Sequence, residues 1–122
     1  MKKSKLFIFG VVLMAVLMVS CNNKRNNLVN SWKITEVEAK TPHVDSVKND
    51  ILTNGKLTFT KDGHVTGHIE NDINDGTFAL TKKGKSLVIK DDNGTPFPFE
   101  STITDDQIIL DSEEMKLTLT KN

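Results

Sequence analysis

The side chains best suited to chemistry in this sequence do not assemble into a catalytic or metal-binding set. His64 and His68 share one face of a predicted strand, but at about 3.3 Å per residue they lie about 13 Å apart, too far to hold one ion. His43 falls in a predicted helix without an evident partner. The aspartate-rich segments 72–76 and 91–94 lack the sixth-position glycine and the terminal glutamate of a calcium loop, and we interpret both as turns. Since no serine sits in a glycine-flanked nucleophile turn either, we expect no enzyme, no metal and no cofactor.

Cys21 is the only cysteine, and the residues before it explain its position. Three lysines stand within the first five residues, and the uncharged apolar run 6–19 follows. A membrane-spanning helix needs about 20 apolar residues, so this shorter run is typical of the apolar region of a signal peptide. The sequence therefore predicts a signal peptide over residues 1–20. A single cysteine also excludes an internal disulfide.

The residues Met18-Val19-Ser20-Cys21 resemble the lipobox of bacterial lipoproteins, with a small residue directly before the cysteine. Met18 stands where leucine is usual. The resemblance implies a diacylglycerol thioether on Cys21 and an acylated N-terminus, and two or more acyl chains hold a protein stably on a membrane. Asn22 is not the aspartate that retains such proteins on the inner membrane of enterobacteria. We therefore expect a lipid anchor in the cell envelope, at the outer membrane and facing the periplasm.

The mature chain, residues 21–122, has a composition that argues against two classes of binding protein. Three of the 16 basic residues leave with the signal peptide, so 13 remain against 16 acidic residues. This balance shows no basic patch for nucleic acid. The mature chain keeps one tryptophan and four phenylalanines, and all five are predicted to point into the domain. Exposed aromatic platforms for a sugar are therefore not expected.

Alternation of apolar and polar residues with period two dominates the chain after Leu28 and predicts an all-β domain over residues 29–122, joined to Cys21 by a short polar tether, 21–28. The predicted strands are 31–37, 56–60, 64–70, 76–81, 86–90, 97–103, 107–111 and 115–120. Their connections are short turns such as Asp62-Gly63, with a longer polar loop at 71–75. Short connections force neighbouring strands to run antiparallel.

One segment departs from this alternation. Thr41 and Pro42 suit the first positions of a helix, apolar residues repeat at helical spacing as far as Leu52, and Asn54-Gly55 would end the helix. We expect a short helix, 42–53, between the first two strands. The whole pattern favours a small eight-stranded antiparallel up-and-down barrel, because closure removes exposed edges. A β-sandwich is the alternative, although the later strands lack the long connection that its crossovers need.

The chain resembles the lipocalin-like lipoproteins of Bacteroidota-type bacteria. The resemblance rests on Trp32 early in the first strand, on Leu57-Thr58-Phe59 followed by Lys61-Asp62-Gly63, and on Gly76-Thr77-Phe78. It covers nearly all of the mature chain, although Asn30 stands where the lipocalin pattern has glycine. It implies a barrel that holds a small apolar ligand beneath the first inter-strand connection, and it supports a fold more directly than a function.

An eight-stranded barrel is either just filled by its own side chains or holds one small ligand, and the sequence leaves both states open. In a cavity, polar groups would come from Glu36 and Ser101, which share the inward phase. Glu36 alternatively lies past the barrel rim in solvent. The candidate ligand-contacting residues are Trp32, Ile34, Glu36, Phe59, Phe78, Phe99 and Ser101.

These observations lead to three functional hypotheses. The first is a membrane-anchored lipocalin-like lipoprotein that binds a small apolar or amphipathic ligand in the cell envelope. The second is a module with a filled core that contacts another envelope protein, through a patch containing the outward-facing Val88 and Ile109. The third is a periplasmic inhibitor, which no motif in the sequence supports. Separately, Asp45-Ser46-Val47 is similar to the O-glycosylation triplet of Bacteroidota periplasmic proteins, which makes Ser46 a candidate for modification.

Overall fold

Eight antiparallel strands in chain order close into one barrel within residues 24–122, the part of the chain that this computed structural model describes. The elements are β1 Ser31–Ala39, α1 Pro42–Asn54, β2 Lys56–Phe59, β3 His64–His68, β4 Asp72–Thr81, β5 Ser86–Lys90, β6 Pro96–Ile103, β7 Gln107–Asp111 and β8 Met115–Lys121. Each strand pairs with the next, and β8 pairs with β1. The predicted barrel and its helix are confirmed. The predicted signal peptide and Cys21 lie outside the described residues.

β4 begins four residues earlier than predicted, so the prediction of a loop at 71–75 is wrong. These extra residues extend beyond the ladder with β5, which starts at Thr77. The carboxylate of Asp92, in the turn after β5, accepts the backbone N–H groups of Asn74 and Asp75 at 3.0 and 2.7 Å. The Asp92 side chain thus accepts backbone N–H groups of β4 that lie beyond the end of its ladder with β5. These N–H groups need an acceptor because backbone donors are rarely left without one.

A bulge in β1 reverses the predicted direction of one side chain. The pairing of β1 with β8 shifts between Ile34 and Glu36, and the extra residue changes which side chains point inward. Val37 is buried, while Glu36 is exposed. The prediction that Glu36 points into the barrel is therefore wrong. Glu36 is in solvent, as in the alternative, but it faces outward within the ladder, paired with Thr118, and does not lie past the rim.

Glycine is required at a second irregularity, in β3. The pairing of β3 with β4 shifts between Val65 and Gly67, and Gly67 has a φ of 142°. A Cβ atom built there would lie 2.0 Å from the backbone oxygen of Lys56 in β2. No other residue type fits this backbone and this close approach.

Helix α1 forms for the local reasons that the sequence suggests. The Thr41 hydroxyl accepts the N–H of Val44 at 3.3 Å, Pro42 occupies the first turn, and the N–H of Gly55 closes the helix onto Ile51. Val44 and Ile51 are buried in the core. The helix packs against β1 and lies across one end of the barrel, which we call the helix end. Among residues 24–122, no helix is long and apolar enough to cross a bilayer.

The opposite end, which we call the N-terminal end, is covered by a helical turn over residues 24–28. Leu28 is fully buried, and its carbonyl accepts the indole N–H of Trp32 at 2.9 Å. Lys24 donates to the carbonyl of Ile103, and Arg25 lies 5.1 Å from the centre of the Phe78 ring. The described part of the predicted tether therefore packs against the barrel.

The interior is filled by apolar side chains. The largest of those with almost no accessible surface are Leu28, Trp32, Ile34, Ile51, Leu57, Phe59, Leu87, Ile89, Ile103, Ile108, Leu110 and Leu117. A cavity able to hold even one water molecule would leave accessible area on the side chains around it. The interior surrounded by these side chains is therefore solid, and the residues 24–122 contain a complete core.

Candidate functional site

Five of the seven candidate residues lie in the filled interior, as the sequence predicts, and offer almost no surface to a ligand: Trp32, Ile34, Phe59, Phe78 and Ser101. Phe99 is 6% exposed and lies at the edge of the barrel. Trp32 and Ile34 have no accessible area, and Phe59 has 2%. Phe78 packs edge-on against Phe59, with ring centres 5.1 Å apart. Ser101 is buried as predicted. Contact between these side chains and a ligand stays a prediction that would require the barrel to open.

The inward polar groups are already satisfied within the fold. The Ser101 hydroxyl donates to the carbonyl of Gly84 at 2.6 Å, and the Trp32 indole donates to Leu28. Within residues 24–122, no buried side-chain nitrogen or oxygen lacks a hydrogen-bond partner. Since buried polar groups without partners are what a polar ligand would satisfy, the interior does not present a site for one.

Phe97 is more exposed than the sequence predicts, and it lies beside an open surface at the edge of the barrel. It shares the phase of Phe99 along β6, yet 38% of it is exposed. The reason lies in the neighbouring strand: β6 pairs with β5 from Pro96 onward, but with β7 only from Glu100 onward. The first four residues of β6 therefore have a strand on one side only. The expectation that all five aromatic residues point into the domain is wrong for Phe97.

A groove of about 790 Å³ follows this opening at the helix end, and we call it the rim groove. Its apolar side consists of Pro96, Phe97, Pro98, Phe99 and Met115. Its volume falls within the range of about 300–1,000 Å³ that is usual for small-molecule sites. The sequence does not predict the groove, because it does not show that β7 ends too soon to pair with the first four residues of β6.

The two prolines of β6 keep another strand from filling the opening. The N–H of Ser101 donates across the β5 ladder to Lys85, so alternate residues from Phe97 onward direct their N–H groups toward β5. Pro96 and Pro98 occupy the positions whose N–H groups would face the opening. Because proline has no N–H, this edge offers few donors to an added strand. The rim groove thus presents apolar side chains rather than a backbone ladder.

The charged side chains around the rim groove are mostly acidic. Lys40 donates from Nζ to Asp111 at 2.5 Å and to the carbonyl of Ser112 at 2.8 Å, which ties the end of β1 to the β7–β8 turn. The hydrogen bond from Lys40 lowers the pKa of the Asp111 carboxyl below its usual value. Glu100, Glu113 and Glu114 form no salt bridge within residues 24–122. The apolar side of the groove is therefore bordered by three carboxylates without a basic partner.

Histidine–carboxylate contacts hold α1 to the β3–β4 connection. His68 lies between Asp50 of α1 and Asp72 of β4, with each ring nitrogen 2.9 Å from a carboxylate oxygen. His43, for which the sequence suggested no partner, contacts Glu70 at 2.6 Å. Only a protonated imidazole can donate from both nitrogens. The hydrogen bond to Asp50 and, to a lesser extent, that to Asp72 accordingly raise the pKa of His68, against an opposing effect of burial.

The remaining predicted surface features stay apart. Val88 and Ile109 are half-buried on the outer face, opposite Pro98 and Thr102 of β6. Four residues along a strand separate those partners by about 13 Å, so the two side chains do not join into one apolar patch.

Two further candidates concern modification and metal binding. Ser46 is exposed on α1, and its hydroxyl donates to the carbonyl of His43 at 2.6 Å; its glycosylation stays a prediction. Within the described part of the chain, no three His, Cys, Asp or Glu side chains are grouped so as to hold a metal ion.

No protein-family model, curated protein or solved structure matches this chain.

The protonation of His68 predicts how stability varies with pH. A histidine whose pKa is raised by folding stabilises the folded state below its unfolded pKa, and this stabilisation is lost as the pH rises through the folded pKa. We expect the melting temperature to fall between about pH 5 and about pH 8, and His68→Gln to reduce that fall. His64→Gln is the matched control, because His64 is exposed and lies 3.4 Å from the exposed Asp75. Equal pH dependence in wild type and His68→Gln would contradict this interpretation.

Proposed function

We propose that this chain is a lipid-anchored, lipocalin-like envelope protein that binds a small amphipathic molecule in the rim groove. The observation that carries the proposal is an apolar surface, exposed at the one stretch of β6 that lacks a second strand neighbour, beside three unpaired carboxylates. The proposal is one of binding and assigns no catalytic step to the chain.

The filled interior supports binding at the rim rather than inside the barrel. Opening the core would expose side chains such as Trp32 and Leu117, which have no accessible surface. Exposing a large apolar side chain costs about 1.5–3 kcal/mol, so a cavity made by opening several of them is expensive. Phe97 is already exposed, and covering it with a ligand recovers part of that free energy.

The border of the groove indicates the chemistry of the ligand. An apolar body would cover Phe97, Phe99 and Met115, and a cationic group would lie near Glu113 and Glu114. Lys40 is engaged by Asp111, so it does not neutralise these carboxylates. A cationic amphiphile is therefore favoured over an anionic one of the same length, because opposite charges attract and like charges repel at the groove.

The proposed anchor places the groove away from the membrane. Cys21 precedes Lys24 by three residues, and Lys24 packs at the N-terminal end of the barrel. The rim groove lies at the helix end. A barrel anchored through lipid on Cys21 would thus hold the groove toward the aqueous side of the envelope, and Asn22 favours the periplasmic face of the outer membrane.

The protein extracted from its own envelope tests both parts of the proposal by mass spectrometry. We expect the denatured chain to have the mass of residues 21–122 with a diacylglyceryl group and a further acyl chain. Under native conditions we expect an additional stoichiometric adduct that denaturation removes. A chain without acyl groups would refute the anchor, and a lipidated chain without an adduct would count against the ligand.

Substitution of Phe97 tests the position of the binding site. Residues 22–122, expressed without lipid, would be titrated by calorimetry with decyltrimethylammonium and with decanoate, both below their micelle concentrations. We expect binding of the cation, and we expect Phe97→Ala to weaken it about tenfold, or roughly 1.4 kcal/mol. Since 38% of Phe97 is exposed, its loss should lower the free energy of unfolding by about 1–2 kcal/mol, less than the loss of a fully buried phenylalanine, and binding is compared at a temperature where both variants are folded.

The matched control is Val88→Ala, which removes a half-buried apolar side chain from the outer face outside the groove. It should leave the affinity for decyltrimethylammonium unchanged. Equal losses in Phe97→Ala and Val88→Ala, or preference for decanoate, would contradict the proposed site.

A further inference from the structure

The two ends of the barrel carry opposite charge. The connections at the N-terminal end, 24–30, 60–63, 82–85 and 104–106, hold six basic and three acidic residues. Those at the helix end, 40–55, 69–71, 91–95 and 112–114, hold two basic and seven acidic residues. The overall charge of the mature chain conceals this separation, because the two ends largely cancel.

The basic residues of the N-terminal end form one surface, which we call the basic end. It consists of Lys24, Arg25, Lys61, Lys82, Lys83 and Lys85. Contacts between the connections bring these residues together. The side chain of Lys24 lies over Gly84, so closely that a Cβ atom added to Gly84 would come within 2.8 Å of the Lys24 side chain. Arg25 donates a hydrogen bond to the carbonyl of Lys61 at 3.0 Å. Lys61, Lys82, Lys83 and Lys85 are exposed.

The turn that carries three of these lysines has an unusual backbone. Lys82 and Lys83 have φ angles of 53° and 58°, and Gly84 follows at 86°. Left-handed backbone favours glycine or asparagine, and other residues in it cost of order 1 kcal/mol or more. The backbone conformation of this turn therefore does not explain why Lys82 and Lys83 are lysines. A role for their positive charge would explain it.

We propose that the basic end is a membrane-docking surface that contacts the phosphate groups of anionic lipids. This inference rests on the proposed lipid anchor, because Cys21 lies three residues from Lys24 and can be no more than about 10 Å from it. The Debye length at physiological salt is about 8 Å, so the attraction between these lysines and the headgroups acts only when the anchor holds the basic end close to the lipid surface, and salt weakens it. The acidic helix end would be repelled by the same surface, which orients the barrel with the rim groove outward.

The proposal commits to a lipid surface rather than to a soluble anion. The basic end is spread over two turns, 60–63 and 82–85, and the helical turn 24–28, and within residues 24–122 its lysines do not converge on a buried polar group. Such a surface suits many separated phosphates in one plane, in the way that basic segments beside membrane anchors contact anionic leaflets.

Vesicle binding by unlipidated residues 22–122 tests the surface independently of the anchor. Residues 24–122 form the closed barrel and its buried core, so we expect the chain of residues 22–122 to fold. We expect it to cosediment with mixed phosphatidylcholine and phosphatidylglycerol vesicles, not with pure phosphatidylcholine, and to be released by salt. Lys82→Asn with Lys83→Asn should weaken binding about 25-fold, at about fivefold for each lysine. The melting temperature should stay the same or rise, since asparagine tolerates left-handed backbone better than lysine.

The matched control is Lys48→Asn with Lys90→Asn, which removes the same charge at the helix end. It should bind anionic vesicles at least as well as the parent chain. Equal binding by the Lys82/Lys83 variant and the parent, an equal loss in the control, or binding to heparin without binding to anionic vesicles would overturn the proposal. Missing acyl groups on Cys21 would refute the anchor alone, because this assay does not use it.

Discussion

Closure of the strand ladder between β1 and β8 is the constraint on which the rest of the structure depends. Once eight short strands close, their inward side chains share a small volume, and in this chain they fill it. Trp32 completes the interior at the N-terminal end through its bond to Leu28, and α1 completes it at the helix end. The interior therefore offers no open surface, and the two surfaces that we propose for binding lie at the ends of the barrel.

The two ends differ because the connections that form them differ in charge and in pairing. At the helix end, β6 starts before β7 can pair with it, which exposes Phe97 beside carboxylates. At the N-terminal end, lysines occupy turns packed around the segment that follows Cys21. We therefore propose a small cationic amphiphile as the ligand of the helix end and an anionic lipid surface as the partner of the N-terminal end. A lipid on Cys21 would hold the N-terminal end toward the membrane and the helix end toward solvent.

The features that sequence alone predicts are those with local causes. Alternation, turn residues and the Thr41 cap predict eight strands and α1, and the structure confirms them. The features that it misses depend on partners distant in the chain. Glu36 points outward because of its register with β8, and Phe97 is exposed because β7 ends early. Residues 72–75 belong to β4 because its first residues pair with the end of β3. The candidate site moved accordingly, from the predicted interior to the rim.

In the proposed function, a ligand binds at the rim groove and leaves the interior closed. The chain has one tryptophan, buried in that interior, so its indole N–H gives a single reporter in a ¹⁵N NMR spectrum. The most direct test is a titration of labelled residues 22–122 with decyltrimethylammonium. We expect shifts at Phe97 and Met115 with the Trp32 indole signal unchanged. A shift of the Trp32 indole signal, with Phe97 unaffected, would show that the ligand enters the barrel and would refute binding at the rim groove.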